Sequence, residues 1–411
     1  MLLTHLPFSI QTQFFRRRMH GLKLLIKVLA PFTNRPEVFV GPGSSLLLCD
    51  AIASTGVKNL LLVTDEVLVR IGLITPLQQR LSQQGVSVSV YDGVLPDPAV
   101  EQIELGLMQL QRDGCTAVLA VGGGSSIDAA KMIAARATNQ RSIESMMGIL
   151  KVRQTPLPVF ALPTTAGTGS EVSIGAVVSD PVNKRKMPVI DLKLMPQLVA
   201  LDGSLMTGLP PAVTAATAMD ALTHAVEAYL SAIATPESDQ AALEAVTLIM
   251  KHLPRVMTDG NDVTSRQHMA WAAYRAGIAL SGAGLGYVHA IAHTFGGHYH
   301  VPHGMANAIV LPHVLEYSKP ACIERLAELA RVSGLDAGEH DSALADKFIA
   351  HIRKLKRNFN IPEQLPALQQ ADFPAIITAA LEEAHSTYAV PRYMDARGCE
   401  AILTGMLAYH R

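Results

Sequence analysis

The chain has 411 residues, 49% of them hydrophobic and 17% charged, with a formal net charge of −1. That length exceeds one typical domain and predicts two or three, and the apolar fraction is ample for two cores. The balanced charge excludes an electrostatic footprint for nucleic acid, and no uninterrupted apolar run approaches the ~20 residues of a bilayer span, so no stable membrane insertion is expected.

Residues 1–36 contain Arg16, Arg17, Arg18, Lys23, Lys27 and Arg35 and no acid, and segment 13–30 interleaves these with Phe14, Phe15 and several aliphatic residues. A membrane-surface or targeting helix has this composition, and so does an extra helix packed on the body of the protein. The polar and apolar faces are not cleanly separated, which favours the packed helix. Residues 1–35 are therefore read as a basic N-terminal extension. From residue 38 short apolar runs alternate with helical stretches. VKNLLLVTD (57–65), VSVSVYDGV (86–94), CTAVLAVGGGSS (115–126) and PLPVFALPTTAG (156–167) read as strands, and VEQIELGLMQLQRDG (100–114) as a helix between them. That alternation predicts an α/β domain with a mostly parallel sheet over 36–208, its apolar strands covered on both faces. After Leu209-Pro210-Pro211 the texture becomes Ala- and Leu-rich, with helical periodicity at 216–233, 239–253, 265–280 and 321–334. Residues 209–411 are predicted to be all-helical. Cys49, Cys115, Cys322 and Cys399 lie far apart without CxxC spacing, which argues against a disulfide framework or a cysteine zinc site and suits a reducing, cytoplasmic compartment.

Gly122, Gly123 and Gly124 follow an apolar strand and precede a helix. Backbone N–H groups there can approach an anion without a Cβ in the way, the helix N-terminus adds partial positive charge, and Ser125 and Ser126 offer hydroxyls. The spacing is not the G-x-G-x-x-G fingerprint with an acid ~20 positions downstream. The best acidic candidate, Asp65, lies upstream at a strand end, placed either to accept from an adenosine ribose, favouring NAD over NADP, or to cap the following helix. PTTAGTGSE (163–171) is a second cluster of donors after a buried strand.

Asp220 and His224 stand at i and i+4 on a predicted helix and so share a face. His289 and His293 repeat the spacing in a segment that also holds His298, His300 and His303, five of the chain's 15 histidines. A carboxylate and three imidazoles suit Fe(II) or Zn(II). Spacing leaves two completions open: His289 with His293 by helix geometry, or His289 with His303 if Gly296-Gly297 turns the chain back.

Together the motifs GGGSSIDAAK, PTTAGTGSE, DALTHAVEAY and HAIAH…PHGMANAIVLPH resemble, in order and spacing, the iron-activated (group III) alcohol dehydrogenases, and the resemblance runs from about residue 36 to the end. It implies a dehydroquinate synthase-like N-terminal α/β dinucleotide-binding domain, an all-α metal domain, and an active site in the cleft between. It implies a metal set of Asp220, His224, His289 and His303, with His293 near the substrate as a proton-handling group. For the cofactor it implicates Asp65, Gly123, Gly124, Asp128, Thr164, Thr165, Thr168 and Lys186, with Ser125 from the loop itself; Asp97 stands where the family often carries Asn. The implied activity is reversible NAD-linked oxidation of an alcohol to an aldehyde or ketone, with NAD and Fe(II), or Zn(II), as cofactors. A homodimer is the expected assembly because dimers dominate among soluble oligomers. The rival of the same fold is a hydroxyacid–oxoacid transhydrogenase. A dehydroquinate synthase-like enzyme is disfavoured by PTTAGTGSE and HAIAH, and a non-enzymatic regulator by the complete ligand set. The substrate is not legible in the sequence.

Overall fold

The computed structural model describes residues 7–29, 35–180 and 185–408. Its described residues form two compact units, one within Thr33–Thr214 and His252–Gly277, the other within Met1–Phe32, Ala215–Lys251 and Ile278–Arg411.

The first unit is built on a six-stranded sheet of β1 (Glu37–Val40), β2 (Asn59–Val63), β3 (Ser87–Tyr91), β4 (Ala117–Gly122), β6 (Val159–Pro163) and β9 (Leu198–Leu201). Its order is β1-β9-β6-β4-β2-β3, and every pairing is parallel. Every residue of β4, β6 and β9 is buried, as their continuous apolar runs require when both faces are covered. The chain steps from β2 to β3 on one side and returns to place β4 on the other. That makes the crevice at the carboxyl ends of β2 and β4 a topological switch point, where open α/β sheets bind ligands. Asp65 follows β2 and the glycine loop follows β4. Gly122 pairs in register with Pro163, so the glycine and threonine-rich loops leave from neighbouring strand ends.

A second sheet was not expected from the sequence. β5 (Gly148–Ile149), β7 (Gly175–Asp180) and β8 (Arg185–Ile190) form three strands in the order β5-β8-β7, with β7 and β8 antiparallel. β8 reads RKMPVI, whose charges and internal proline do not resemble a strand; Pro188 lies opposite Val177. The composition boundary at residue 208 also differs from the observed units, because residues 252–277 belong with the sheet. The reason is local. Gln267 donates to Leu201 O at 2.8 Å and accepts from Gly203 N at 2.8 Å, and a Cβ on Gly169 would lie 2.6 Å from Gly277 Cα. Helical periodicity shows that a segment has a buried face, not what that face packs against.

The regular elements of the second unit are all helices among its described residues, with one isolated bridge between Leu365 and Leu407. Helix Pro211–Leu230 carries Asp220 and His224, helix Tyr287–Tyr299 carries His289 and His293, and His303 opens helix His303–Ser318. In the extension, helix Phe8–Leu29 packs on this unit: Phe15 stacks on His385 with centroids 4.4 Å apart, and Met19 is buried beside Ile233 and Ala389. Arg16, Arg17 and Arg18 are exposed; the side chains of Lys23 and Lys27 and the other apolar residues of 22–29 lie outside the described side chains. Among the described residues no helix is long and apolar enough to cross a membrane. All four cysteines are free and buried.

Candidate active site

In the first unit, helix Gly124–Thr138 begins directly after β4. Its N-cap is Gly123, which has no side chain to cap the first-turn N–H groups, and among the described residues no other side chain bonds them. The glycines are there for close approach. A Cβ on Gly122, which has φ +152°, would lie 2.3 Å from Ser126 Oγ, and one on Gly124 would lie 2.6 Å from Thr168 Cγ2. Gly123 faces Thr165, and Thr164 N donates to Gly122 O at 3.0 Å. The two loops are thus one continuous surface containing Gly123, Gly124, Thr164, Thr165 and Thr168.

Asp97, Ser125 and Lys186 converge beside it. Asp97 N donates to Ser125 Oγ at 3.2 Å, and Lys186 Nζ lies 2.5 Å from Asp97 Oδ1 and 3.0 Å from Ser179 Oγ. Asp97 has φ +58°, a conformation that Asp tolerates better than most residues. Asp65 caps helix Glu66–Arg70, its Oδ1 accepting from Leu68 N at 3.0 Å; this is the capping role left open above, and it fixes the carboxylate at the switch point. Asp128 is placed differently from a ligand contact: its two oxygens accept from Ser170 Oγ at 2.5 Å and Val177 N at 2.9 Å. It braces the threonine loop against β7. One turn on, fully buried Lys131 donates to Ser170 O, Ser173 O and Gly175 O at 2.7, 2.8 and 2.8 Å. Burial pushes Lys131 down to about 8, against the pull of Asp128 and Glu171.

In the second unit, one donor atom from each of Asp220, His224, His289 and His303 lies within 4.8 Å of all the others. Asp220 Oδ1 is 3.9 Å from His224 Nε2, 3.8 Å from His289 Nε2 and 3.4 Å from His303 Nε2. The chain reversal that returns His303 is not at Gly296-Gly297, which sit inside the helix. It occurs after Tyr299, where His300 adopts φ +55° and Pro302 caps the next helix. Gly304 lets that helix meet Pro211–Leu230: a Cβ there would lie 2.2 Å from Ala216 O. His293 points from the same helix face as His289 to a different partner, Glu383, at 2.7 Å, while its ring stacks on His303 with centroids 5.3 Å apart.

The donor set fits a divalent cation. Asn307 Nδ2 lies 2.7 Å from Asp220 Oδ1, 3.0 Å from His289 Nε2 and 3.2 Å from His303 Nε2, while its own Oδ1 is buried without a partner among the described residues. An amide nitrogen has two hydrogens and cannot satisfy three converging acceptors, whereas a cation meets all of them. Glu227 prepares His289: it accepts from His289 Nδ1 at 2.6 Å and Val288 N at 2.7 Å. With Nδ1 donating, the Nε2 lone pair faces the cluster. Burial opposes charge on Asp220, but His224, His303 and His289 outweigh it and hold the carboxyl far below its usual range. Burial likewise opposes protonation of His289, but Glu227 and Asp220 raise it to about 9, so a cation bound there takes the place of the Nε2 proton; His303 is pushed down to about 3, by burial first and then by the neighbouring imidazoles.

Sequence reasoning missed Glu227, Asn307 and Glu383. The first two carried a signal: Glu227 is seven residues after Asp220, and Asn307 four after His303, each on the ligand face of its helix. Glu383 carried none, being ninety residues from His293 on a separate helix.

Known proteins resemble this chain along most of its length. The family described as "Iron-containing alcohol dehydrogenase" matches residues 36–203, and "Fe-containing alcohol dehydrogenase family, C-terminal" matches 214–407. Alcohol dehydrogenase 4 of Saccharomyces cerevisiae is 39% identical over 353 residues, covering 85% of this chain and 91% of that protein. NAD-dependent methanol dehydrogenase of Bacillus methanolicus is 36% identical over 375 residues, covering 90% and 98%. Among solved structures, a 1,3-propanediol oxidoreductase superposes with TM-score 0.87 at 36% identity, covering 90% of this chain and 99% of that one. An Oenococcus oeni alcohol dehydrogenase gives 0.88 at 32%, covering 90% and 98%. The chain therefore belongs to the iron-containing alcohol dehydrogenase family and is an oxidoreductase.

Proposed function

We propose that the protein is a metal- and NAD-dependent alcohol dehydrogenase, reversibly oxidising a small alcohol to an aldehyde or ketone. The observation that carries this reading is the convergence of buried Asp220, His224 and His289 with half-buried His303, three of whose donor atoms crowd one amide nitrogen. When bound there, Fe(II), or Zn(II) in its place, supplies Lewis-acid stabilisation of the alcohol oxygen, and NAD accepts the hydride. Glu227 keeps His289 in the metal-binding tautomer. His293 takes the hydroxyl proton and passes it to solvent. Gly123, Gly124 and Ser125 hold the pyrophosphate at the helix N-terminus. Thr164, Thr165 and Thr168 offer further donors, while Asp97 and Lys186 flank Ser125 and border the same site. Asp65 accepts from the adenosine ribose and disfavours a 2′-phosphate. Asp128 serves indirectly by fixing Ser170 and β7.

The relatives support the reaction class: they are alcohol, methanol and 1,3-propanediol dehydrogenases, which favours a free-NAD dehydrogenase over a transhydrogenase. A homodimer in the cytoplasm completes the reading, consistent with four free cysteines. The test is a panel of alcohols and aldehydes with NAD(H) and NADP(H), on protein reconstituted with Fe(II) or Zn(II). NAD-linked turnover dependent on the metal is expected; turnover independent of added metal, or of free dinucleotide, contradicts it.

A further inference from the structure

His293 is held by more than one contact. Its Nδ1 lies 2.7 Å from Glu383 Oε1, and the Tyr388 hydroxyl donates to that same oxygen at 2.6 Å. Glu383 sits on helix Phe373–Thr387, and Tyr388, 7% exposed, is the residue that ends it. The imidazole is also fixed from its face by the stack on His303, at 5.3 Å and 18°. The hydrogen bond and the stack leave the ring little freedom to flip or tilt, and Tyr388 steadies the carboxylate.

An ionised carboxylate only accepts hydrogen bonds, so the nitrogen facing it must carry the hydrogen. The neutral imidazole then has its lone pair on Nε2, the nitrogen on the far side of the ring from Glu383. Burial works against ionisation of Glu383, but His293 and the Tyr388 hydroxyl outweigh it and keep the carboxyl below its usual range. Tyr388, which donates to the carboxylate, stays protonated, because burial and the adjacent Glu383 push it well above the ordinary phenol value.

We propose that Glu383, anchored by Tyr388, is a positioning residue that holds His293 with Nδ1 protonated and Nε2 free to take the substrate's hydroxyl proton. This rests on the proton-handling role given to His293 above. In the step, the carbinol C–H bond breaks and its electron pair leaves as hydride to the nicotinamide. The O–H bond breaks as its proton forms a new N–H bond at Nε2, and the electron pair left on oxygen becomes the second carbon–oxygen bond. The imidazolium so formed lies against the Glu383 carboxylate, which stabilises it without accepting the proton. His293, whose side chain is 17% exposed, then releases the proton to solvent. A carboxylate–histidine pair of this kind acts through tautomer, orientation and charge, and replacing the carboxylate by its amide in the serine-protease template costs about 10⁴-fold.

The test compares Glu383→Gln, Glu383→Asp, Tyr388→Phe and His293→Gln, each loaded with metal. Glu383→Gln should lower kcat by about 10²- to 10⁴-fold with a larger solvent deuterium isotope effect, while alcohol KM, metal content and NAD affinity stay at wild-type values. Glu383→Asp should recover much of the rate, Tyr388→Phe should lose less, and the Glu383→Gln/His293→Gln double variant should be no slower than His293→Gln alone. Wild-type kcat in Glu383→Gln beside a crippled His293→Gln overturns this inference alone. Wild-type kcat in His293→Gln overturns the underlying role of His293. A rate loss that follows metal content, or that Asp fails to restore, assigns Glu383 a structural role only and overturns the proposal. If Glu383→Gln does not fold, the Asp and Tyr388→Phe variants decide by the same kcat and isotope criteria.

Discussion

Gly304 is the point where the helices carrying Asp220 and His303 touch, and substituting it probes the proposed metal centre without altering a proposed ligand. A Cβ at 304 would lie 2.2 Å from Ala216 O, 2.8 Å from Ala216 C and 3.3 Å from Asp220 Cβ. Moving that oxygen contact from 2.2 Å to the 3.0 Å below which Cβ atoms are essentially never found requires a shift of at least 0.8 Å. The neighbouring residue is His303, and Asp220 is one turn beyond Ala216, so the shift separates two ligands directly. Metal–ligand distances tolerate only about 0.2 Å. Overpacking of this size costs about 1–3 kcal/mol, and at ~1.4 kcal/mol per tenfold the Gly304→Ala protein should bind metal roughly 5- to 150-fold more weakly. Competition against a zinc chelator measures it. Gly296→Ala is the control, because its Cβ meets nothing closer than Val301 O at 3.8 Å; inside a helix it should leave affinity unchanged and raise stability by about 0.4–1 kcal/mol. Wild-type metal affinity in Gly304→Ala refutes the argument that this contact sets the spacing of His303 and Asp220.

Three further outcomes follow from buried groups away from the ligands. His313, whose buried Nε2 has no partner among the described residues, is pushed down to about 4 by burial and then by Arg353 and Lys356. Its folded value lies below the unfolded 6.5, so its share of stability is complete above about pH 6.5 and is lost as the pH falls toward 4. Urea unfolding of His313→Gln should show an acid limb shallower by up to about 3 kcal/mol, and an unchanged limb would exclude His313 as its source. Lys131→Met leaves the carbonyls of Ser170, Ser173 and Gly175 without their shared donor; a loss of at least about 3 kcal/mol is expected, together with weaker NAD binding by calorimetry. Phe15→Ser with Met19→Ser removes the seat of the N-terminal helix on His385, Ile233 and Ala389. Limited proteolysis should then cut within residues 8–29 well before the body, and equal resistance to wild type would mean that these two contacts do not hold the helix.

The sequence displayed the sheet because β2, β3, β4 and β6 are short apolar runs bounded by turn residues, and covered parallel strands look like that. It hid β8, where Pro188 and two leading charges obscure an antiparallel strand. Helix spacing made Asp220 and His224 legible. It left His293 and His303 equivalent, because the turn at His300–Pro302 depends on a left-handed histidine rather than on the adjacent glycines. The family resemblance selected His303, and the geometry shows a reason: His293 is engaged by Glu383, ninety positions along the chain, which no local pattern announces. Asp128 shows the opposite limit. The resemblance implicates it in the cofactor site, whereas its hydrogen bonds go to Ser170 and Val177 and tie the threonine loop to β7.

The most direct measurement is metal stoichiometry with turnover in His289→Ala. His289 is 1% exposed, borders Asp220, and is oriented by Glu227. The wild-type protein should hold one divalent ion per chain and oxidise alcohols with NAD, while His289→Ala should lose the ion and turnover yet bind NAD with unchanged affinity. Full NAD-linked turnover by the metal-free His289→Ala protein would contradict the account.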